Sequence, residues 1–229
     1  MSRVEAIIFD KDGTLFSFQD TWSVWARTVL VELTETDAEM QAASKALGFD
    51  LGGDVFLADS VVIAGTAADI TRALEPVIPK RPDILDVLDA VAIETPQAPV
   101  PELHATLDTL SRDHVLGLMT NDSEAPAKAH LAQVGIADRF AFVAGYDSGF
   151  GAKPEPGPLL AFSQAVGVAP KNTLMVGDSR HDLVAGRAAG MGTVGVLTGV
   201  ATAQDLGDLA DVILPDIRGI STWLGSTPL

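Results

Sequence analysis

Two aspartates near the start of the chain, Asp10 and Asp12, are the side chains best suited to do chemistry. They follow the apolar residues 7–9, which predict a short buried strand. Because alternate residues of a strand face the same side, both carboxylates are expected at one site, with Lys11 pointing away. Two such carboxylates repel each other unless a cation or a shared proton compensates. With the turn-forming Gly-Thr pair that follows, the pattern favours metal-dependent phosphoryl transfer, although an acidic turn closing a strand would look similar.

Further polar residues follow other apolar runs in the same way. Residues 120–122 (Thr-Asn-Asp) end one predicted strand, and Asp178 ends another, with Asp182 four residues later. Lys153 lies in a loop rich in glycine and proline at residues 149–156. Open parallel sheets bind ligands beyond the carboxyl ends of their strands, so these groups are expected to meet at one edge. Each alone has an ordinary structural explanation, but their order along the chain favours a shared site.

The elements that would position these residues form two regions. Helices are predicted over residues 20–33, 37–47, 66–74 and 83–93, and the region 19–97 shows no strand pattern. Strands are predicted over residues 4–9, 115–120, 140–144, 173–177, 193–197 and 211–214, with helices between the later ones. This alternation predicts an α/β fold with a Rossmann-like, doubly wound parallel sheet. We therefore expect a core domain of residues 1–18 and 98–229, with an all-helical domain of residues 19–97 inserted.

Composition narrows the possible partners. The net charge is −16, from 15 basic and 31 acidic residues without a basic run, which argues against nucleic acid and anionic membranes. There is no cysteine, so thiolate nucleophiles, disulfides and cysteine-ligated metals are excluded. The first nine residues carry no signal-peptide pattern, and we expect a cytoplasmic protein. The expected partner is a small-molecule phosphate ester, with monomer and homodimer both left open.

The motifs together resemble the haloacid dehalogenase superfamily, in its phosphatase branch and with a phosphoglycolate phosphatase-like layout. The matching residues are Asp10-x-Asp12-Gly13-Thr14, Thr120, Lys153 and Gly177-Asp178-x-x-x-Asp182. The resemblance covers about residues 4–200, and it implies that the helical insert is the cap domain of that family. Many members carry an acidic residue where this chain has Ser17, beside the start of the insert. That departure bears on the substrate more than on the chemistry.

Chemistry and resemblance together assign roles to the candidate catalytic residues. Asp10 is expected to attack phosphorus and form an aspartyl-phosphate. Asp12 is expected to protonate the leaving alkoxide and then to deprotonate the hydrolytic water. Lys153 would offset the clustered negative charge and hold the phosphate. The Thr120 hydroxyl and the Asn121 amide would bind the remaining phosphoryl oxygens.

Mg²⁺ is the expected metal, because carboxylate and phosphate oxygens are hard ligands. The resemblance implies that its ligands are Asp10, the backbone carbonyl of Asp12, and Asp178, with Asp182 in the outer shell. The resulting hypothesis is a Mg²⁺-dependent phosphatase that acts on a small phosphorylated metabolite, such as 2-phosphoglycolate. A sugar phosphomutase of the same superfamily and a non-catalytic binding module are the alternatives.

Several other noticeable residues receive structural interpretations. Trp22 and Trp25 are expected to pack within the insert, because their spacing places them on one helical face. His181, beside the last motif, is expected on the surface. Arg27 and Arg180 are candidates to meet an anionic tail of the substrate.

Overall fold

The computed structural model describes residues 3–226, which form a parallel sheet covered by helices and joined to an insert. The strands are β1 Ala6–Phe9, β2 Phe49–Asp50, β3 Val55–Phe56, β4 Val115–Met119, β5 Phe142–Ala144, β6 Thr173–Gly177, β7 Gly192–Val196 and β8 Val212–Leu214. Six of them form one sheet in the order β5-β4-β1-β6-β7-β8, and every neighbouring pair is parallel. The predicted α/β class with a doubly wound parallel sheet is confirmed.

Strand β1 is central and buried on both faces, as a continuous apolar run in a parallel sheet requires. Its alternate residues enter two separate hydrophobic clusters. Ile7 and Phe9 pack on one face of the sheet, and Ala6 and Ile8 pack on the other. Packing on both faces therefore fixes the position of β1. It also fixes the position of the residues that directly follow Phe9.

Helices cover both faces of this sheet. They are α6 Leu103–Leu110, α7 Glu124–Gln133, α8 Gly157–Val166, α9 Arg180–Ala189, α10 Ala203–Leu206 and α11 Gly219–Ser226, with short 3-10 turns at Ala137–Arg139 and Pro170–Asn172. Helix α8 approaches the sheet closely at Gly117, where an added Cβ would lie 2.5 Å from the Phe162 ring. Within residues 3–226, no helix combines the length and apolarity that crossing a membrane requires.

The insert has its own hydrophobic cluster, which runs from Phe18 to Ala92. Its helices are α1 Phe18–Leu33, α2 Asp37–Leu47, α3 Val61–Ala64, α4 Ala67–Leu74 and α5 Ile84–Glu94. Helix α2 has the predicted bounds because both ends are specified locally. The Thr36 hydroxyl accepts the Glu39 amide at 3.2 Å, and Gly48 ends the helix at a φ of 68°.

The sequence analysis predicted an all-helical insert. The insert is mainly helical, but its strands β2 and β3 form a short antiparallel hairpin. Each strand has two residues, too few for an alternating pattern to appear in the sequence. The hairpin is held by aromatic packing: the Phe56 ring lies 4.9 Å from the Phe49 ring and 5.4 Å from the Phe18 ring. The proposed boundaries at residues 19 and 97 stay a prediction.

Two chain segments join the insert to the sheet, and they run side by side. The Ser17 amide donates to the Ala98 carbonyl at 2.8 Å, and the Val100 amide donates to the Leu15 carbonyl at 3.0 Å. Leu15 and Ser17 belong to or directly follow the turn after β1, and their hydrogen bonds hold residues 98–100 beside it. The insert is thus attached directly beside Asp10 and Asp12.

Candidate active site

The turn after β1 places its two aspartates at the carboxyl end of the sheet. The Asp10 amide donates to the Val176 carbonyl at 2.8 Å, which continues the pairing of β1 with β6 by one residue. The chain then turns, and the amides of Leu15 and Phe16 donate to the Lys11 carbonyl. Gly13 has a φ of 82°, and a Cβ there would lie 2.5 Å from the Asp178 carboxylate. The turn therefore depends on glycine both for its conformation and for its closeness to β6.

Three buried carboxylates converge beside this turn. One oxygen from each of Asp10, Asp178 and Asp182 lies within 4.8 Å of the others. Asp182 belongs to the first turn of α9, where its Oδ2 accepts the Ser179 amide at 3.0 Å and the Ser179 hydroxyl at 2.6 Å. Backbone also closes around Asp178, since a Cβ on Gly199 would lie 1.6 Å from its Oδ2. The backbone of Gly13 and Gly199 therefore packs directly against the Asp178 carboxylate of this cluster.

Lys153 is the basic partner of these carboxylates. Its Nζ donates to Asp10 Oδ1 at 2.5 Å, to Asp182 Oδ1 at 2.6 Å and to the Met119 carbonyl at 3.0 Å. Burial lowers the pKa of Lys153, but the charges of Asp10 and Asp182 outweigh burial and raise that pKa above its usual value. Lys153 is therefore a permanent cation fixed against two acids.

One lysine does not neutralise three buried carboxylates, and the pKa values of Asp10 and Asp178 are raised. Burial raises the pKa of Asp10 to about 7, with the charges of Asp182 and Asp12 adding to burial and Lys153 opposing it. Burial also raises the pKa of Asp178 well above its usual value, followed by repulsion from Asp10 and Asp182. Hard oxygen donors with excess negative charge suit a divalent cation such as Mg²⁺. Because both Asp182 oxygens already have partners, Asp10 and Asp178 are better placed to bind the metal directly.

The Asn121 side chain makes three hydrogen bonds to the backbone, and its contact with phosphate stays a prediction. Its Oδ1 accepts the Lys153 amide at 2.9 Å, and its Nδ2 donates to the carbonyls of Lys153 and Ala64, both at 2.9 Å. Asn121 thus fixes the lysine loop and ties it to α3 of the insert. Thr120 is buried on the cavity wall, and its hydroxyl oxygen accepts the Asp122 amide at 3.1 Å. Its hydroxyl hydrogen remains suited to a phosphoryl oxygen.

The prediction that Lys11 points outward is wrong: the side chain is fully buried. Its Nζ donates to Asp122 Oδ2 at 2.6 Å and lies 3.3 Å from Asp12 Oδ2 and 5.5 Å from the centre of the Trp22 ring. The alternation of a strand does not apply here, because β1 ends at Phe9 and the chain turns from Asp10 onward. Burial lowers the pKa of Lys11, but Asp12 and Asp122 outweigh burial and raise it.

His130 completes this second lysine cluster, and the sequence analysis did not identify it. Its Nδ1 lies 2.7 Å from Lys11 Nζ and its Nε2 lies 2.6 Å from the Ala92 carbonyl of α5. Burial, followed by the charge of Lys11, lowers the pKa of His130. The neutral ring therefore accepts from Lys11 and donates to Ala92. The signal available in the sequence was Lys11 itself, which stands between the two motif aspartates. A lysine buried at that position needs polar partners, and this would have prompted a search for them.

Of the other residues singled out in the sequence, the two tryptophans and the histidine line the cavity and the two arginines do not. The Trp22 and Trp25 rings pack at 5.0 Å, and both side chains also line the cavity above the carboxylates. His181 is half-buried on the same wall and is not the surface residue that was expected. Arg27 is exposed and paired with Asp54, and Arg180 is exposed and paired with Asp208. Neither arginine lines this cavity, so the structure does not support their proposed contact with a substrate tail.

The cavity lies between the sheet edge and the insert and has a volume of about 60 Å³. Its floor consists of the motif residues, which are Asp10, Asp12, Thr120, Lys153, Asp178 and Asp182. Asp12 Oδ1 is buried and has no hydrogen-bond partner among residues 3–226. An acid with an unpartnered oxygen therefore stands beside the carboxylate-lysine cluster, an arrangement suited to proton transfer next to a nucleophile.

A family model described as haloacid dehalogenase-like hydrolase matches residues 4–190. This range contains β1, β4, β6 and every motif residue of the cavity floor. The chain therefore belongs to the haloacid dehalogenase-like hydrolases, as the resemblance implied.

Named relatives lie within this family. The chain is 30% identical over 232 residues to a phosphoglycolate phosphatase of Neisseria meningitidis, covering 100% of this chain and 92% of the relative. It shares its fold with the crystal structure of a predicted phosphoglycolate phosphatase from Haemophilus somnus 129pt, at a TM-score of 0.74 and 22% identity over 97% of this chain and 99% of that one. Bacillus subtilis YfnB, a HAD-hydrolase solved with magnesium, has a TM-score of 0.72 and 14% identity over 98% of this chain and 100% of that one.

Proposed function

We propose that this protein is a Mg²⁺-dependent phosphatase that hydrolyses a small phosphorylated metabolite through an aspartyl-phosphate on Asp10. The observation that carries the proposal is the cluster of Asp10, Asp178 and Asp182 around Lys153 on the floor of the cavity, with Asp12 beside it. The phosphatase names of the relatives support the same reaction.

Asp10 and Asp178 would hold Mg²⁺, with Asp182 behind them and the backbone carbonyl of Asp12 as a further ligand. The buried excess of negative charge in this cluster supports such a cation. When bound, Mg²⁺ would neutralise charge on the phosphoryl oxygens.

In the first step an oxygen of Asp10 forms a bond to phosphorus while the ester bond to the leaving oxygen breaks. Lys153 holds Asp10 and the phosphoryl group in position, and the Thr120 hydroxyl binds a phosphoryl oxygen. Asp12 gives its proton to the leaving alkoxide. In the second step Asp12 takes a proton from water, the water oxygen bonds to phosphorus, and the bond to Asp10 breaks to release phosphate.

The insert, residues 19–97, would act as a cap that selects the substrate. The relatives named phosphoglycolate phosphatase make 2-phosphoglycolate the first metabolite to assay. Cap closure would exclude water from the cavity, where most of the insert's contribution is apolar.

The test is phosphate release from para-nitrophenyl phosphate and from a metabolite panel, with protein stripped of metal by EDTA and then supplied with Mg²⁺. We expect stripping to abolish turnover, Mg²⁺ to restore it, and Asp10→Asn to remain inactive with metal. Full turnover by stripped protein would contradict the metal. Transfer of phosphate to a second substrate without free phosphate would contradict hydrolysis and favour a mutase.

A further inference from the structure

The insert is bonded to the core along helix α5. Three side chains of the core reach this helix, at distances of 2.6–2.8 Å, in the pairs Ser123–Asp89, His130–Ala92 and Gln133–Ile93. These three pairs form the α5–α7 contact. Helix α5 also leads directly into residues 95–100, which return the chain to the core beside the turn after β1. This part of the insert is therefore held at several points.

Helices α3 and α4 of the insert are held by far fewer bonds. Among the described residues, a single hydrogen bond joins these two helices to the core, from Asn121 Nδ2 to the Ala64 carbonyl at 2.9 Å. Beside this bond lies an open groove of about 650 Å³. The groove and the active-site cavity share the lining residues Ala64, Gly65, Asn121, Lys153 and His181, so the bond lies between them. Breaking it would let the cavity open into the groove.

The same asparagine holds the main chain of Lys153. Its Oδ1 accepts the Lys153 amide and its Nδ2 donates to the Lys153 carbonyl, both at 2.9 Å. Nδ2 therefore uses one hydrogen for Lys153 and the other for Ala64. Lys153 Nζ in turn donates to Asp10 and Asp182. One side chain thus connects the insert with the cation of the carboxylate cluster.

From these contacts we infer that Asn121 is a positioning residue that couples closure of the insert to the placement of Lys153. The inference rests on the proposed phosphatase function and adds how the site is assembled. When α3 lies against the core, the Ala64 carbonyl fixes the Asn121 amide in the orientation that holds Lys153. When α3 moves away, that amide is held by the lysine loop alone. Because such coupling is reciprocal, phosphate bound at Lys153 should favour the closed insert as much as closure favours phosphate.

Substitution of Asn121 tests the effect on the reaction. Asn121→Ala removes all three bonds, and we expect kcat/KM for para-nitrophenyl phosphate to fall about tenfold to hundredfold, because small displacements of a reacting group cost that much. Asn172→Ala is the matched control, since the Asn172 amide bonds to Glu5 at the amino end of β6, away from the cavity. An unchanged kcat/KM in Asn121→Ala would contradict the positioning role.

A distance across the groove tests closure itself. The chain has no cysteine, so spin labels can be attached to Arg72→Cys on α4 and Glu155→Cys in the lysine loop, both at exposed positions. A second pair, Ala90→Cys and Ala125→Cys, reports on the α5–α7 contact. We expect Mg²⁺ with inorganic phosphate to narrow the distance distribution of the first pair in wild type and not in Asn121→Ala, while the second pair stays unchanged. Equal narrowing in the variant, or a change at the second pair, would overturn the inference.

Asn121→Asp provides a second variant in case Asn121→Ala does not fold. Its carboxylate keeps an acceptor for the Lys153 amide but has no hydrogen for either carbonyl, so the phosphate-dependent narrowing should again be lost. These distances are measured without turnover and so separate the inference from the proposed reaction. Failure of wild-type protein to hydrolyse any ester would refute the phosphatase, whereas narrowing that depends on Asn121 would still support the coupling.

Discussion

The two buried lysine clusters on either side of the Asp10–Asp12 turn have different compositions. Lys153 faces three convergent carboxylates, and the pKa values of Asp10 and Asp178 are raised because both groups are buried and their charges are not fully offset. Lys11 has a partner for each of its hydrogens, in Asp122, His130 and Asp12. The first cluster is short of positive charge and suits a cation and a phosphate. In the second cluster Lys11 has no hydrogen left for a ligand. The cluster contacts the motif residue Asp12 and, through His130, the insert.

Because of this difference, we expect the Lys153 cluster to take part in the reaction and the Lys11 cluster to position Asp12. The Lys153 cluster acts on the phosphoryl group, and loss of its lysine should change the rate of reaction. The Lys11 cluster connects Asp12 with α5 through His130, and loss of its lysine should change stability and the orientation of Asp12. Matched variants of the two lysines make the distinction measurable.

The largest effect on activity is expected from Lys153→Met. The change removes the cation that fixes Asp10 and the phosphoryl group, and the loss in kcat/KM should reach about 10³-fold or more. Steady-state kinetics with para-nitrophenyl phosphate measure it, and an exposed lysine changed in the same way, Lys45→Met, is the control. A loss below about tenfold would show that Lys153 serves the fold more than the reaction.

Asp12→Asn should produce the next largest loss, and the loss should depend on the leaving group. Asparagine cannot supply a proton, so alkyl phosphates should react about 10²–10⁴-fold more slowly. Aryl phosphates should lose less in the first step, because their leaving groups need little protonation. Equal losses on both ester types would contradict the acid role given to Asp12.

Lys11→Met should mainly lower the free energy of unfolding. It leaves the half-buried carboxylates of Asp12 and Asp122 without their cation, a change that costs up to about 3–5 kcal/mol. Urea unfolding measures the loss, with Lys45→Met again as control. If Lys11→Met unfolds like wild type while Lys153→Met does not, the assignment of the two clusters is reversed.

The smallest expected effect is on the pH dependence of stability in metal-free protein. The folded pKa of Asp10 is about 7 against an ordinary value of 3.8, so the folded state binds more protons between these values. The stabilising contribution of Asp10 is therefore largest at low pH and is lost as pH rises toward 7. Between pH 5 and pH 8 it should fall by roughly 2–3 kcal/mol.

Asp10→Asn isolates this contribution, because the asparagine does not titrate. The difference in unfolding free energy between wild type and variant should shift in favour of the variant as pH rises from 5 to 8. A difference that stays constant, or moves the other way, would contradict the raised pKa of Asp10.

Sequence patterns predicted those parts of the molecule that depend on local rules. The sheet edge was predictable because Asp10, Thr120 and Asp178 each follow a buried strand, and parallel strands bring such residues together. Lys11 was placed wrongly because strand alternation was extended two residues beyond Phe9, into the turn. The partners of a buried lysine come from distant segments, and His130 is 119 positions away.

The insert shows a second limit of sequence reasoning. Helices α1, α2, α4 and α5 were predictable from caps and periodicity, whereas the four-residue helix α3 and the two-residue strands of the hairpin were too short to give a pattern. The contact of Asn121 with the Ala64 carbonyl depends on how the insert meets the sheet, which no local rule specifies. The same is true of the largely apolar side of the cavity, which forms where α1, α3, α4 and α5 of the insert lie above the motif residues.

The central claim, that Asp10 is the nucleophile, is tested most directly by trapping the covalent intermediate. Protein carrying Asp12→Asn would be mixed with Mg²⁺ and para-nitrophenyl phosphate, quenched in acid within a turnover, digested and analysed by mass spectrometry. We predict one phosphoryl group on the peptide that contains Asp10, and none when Asp10→Asn is added. A phosphoryl group on another residue, or phosphate release without any phosphorylated peptide, would contradict the mechanism.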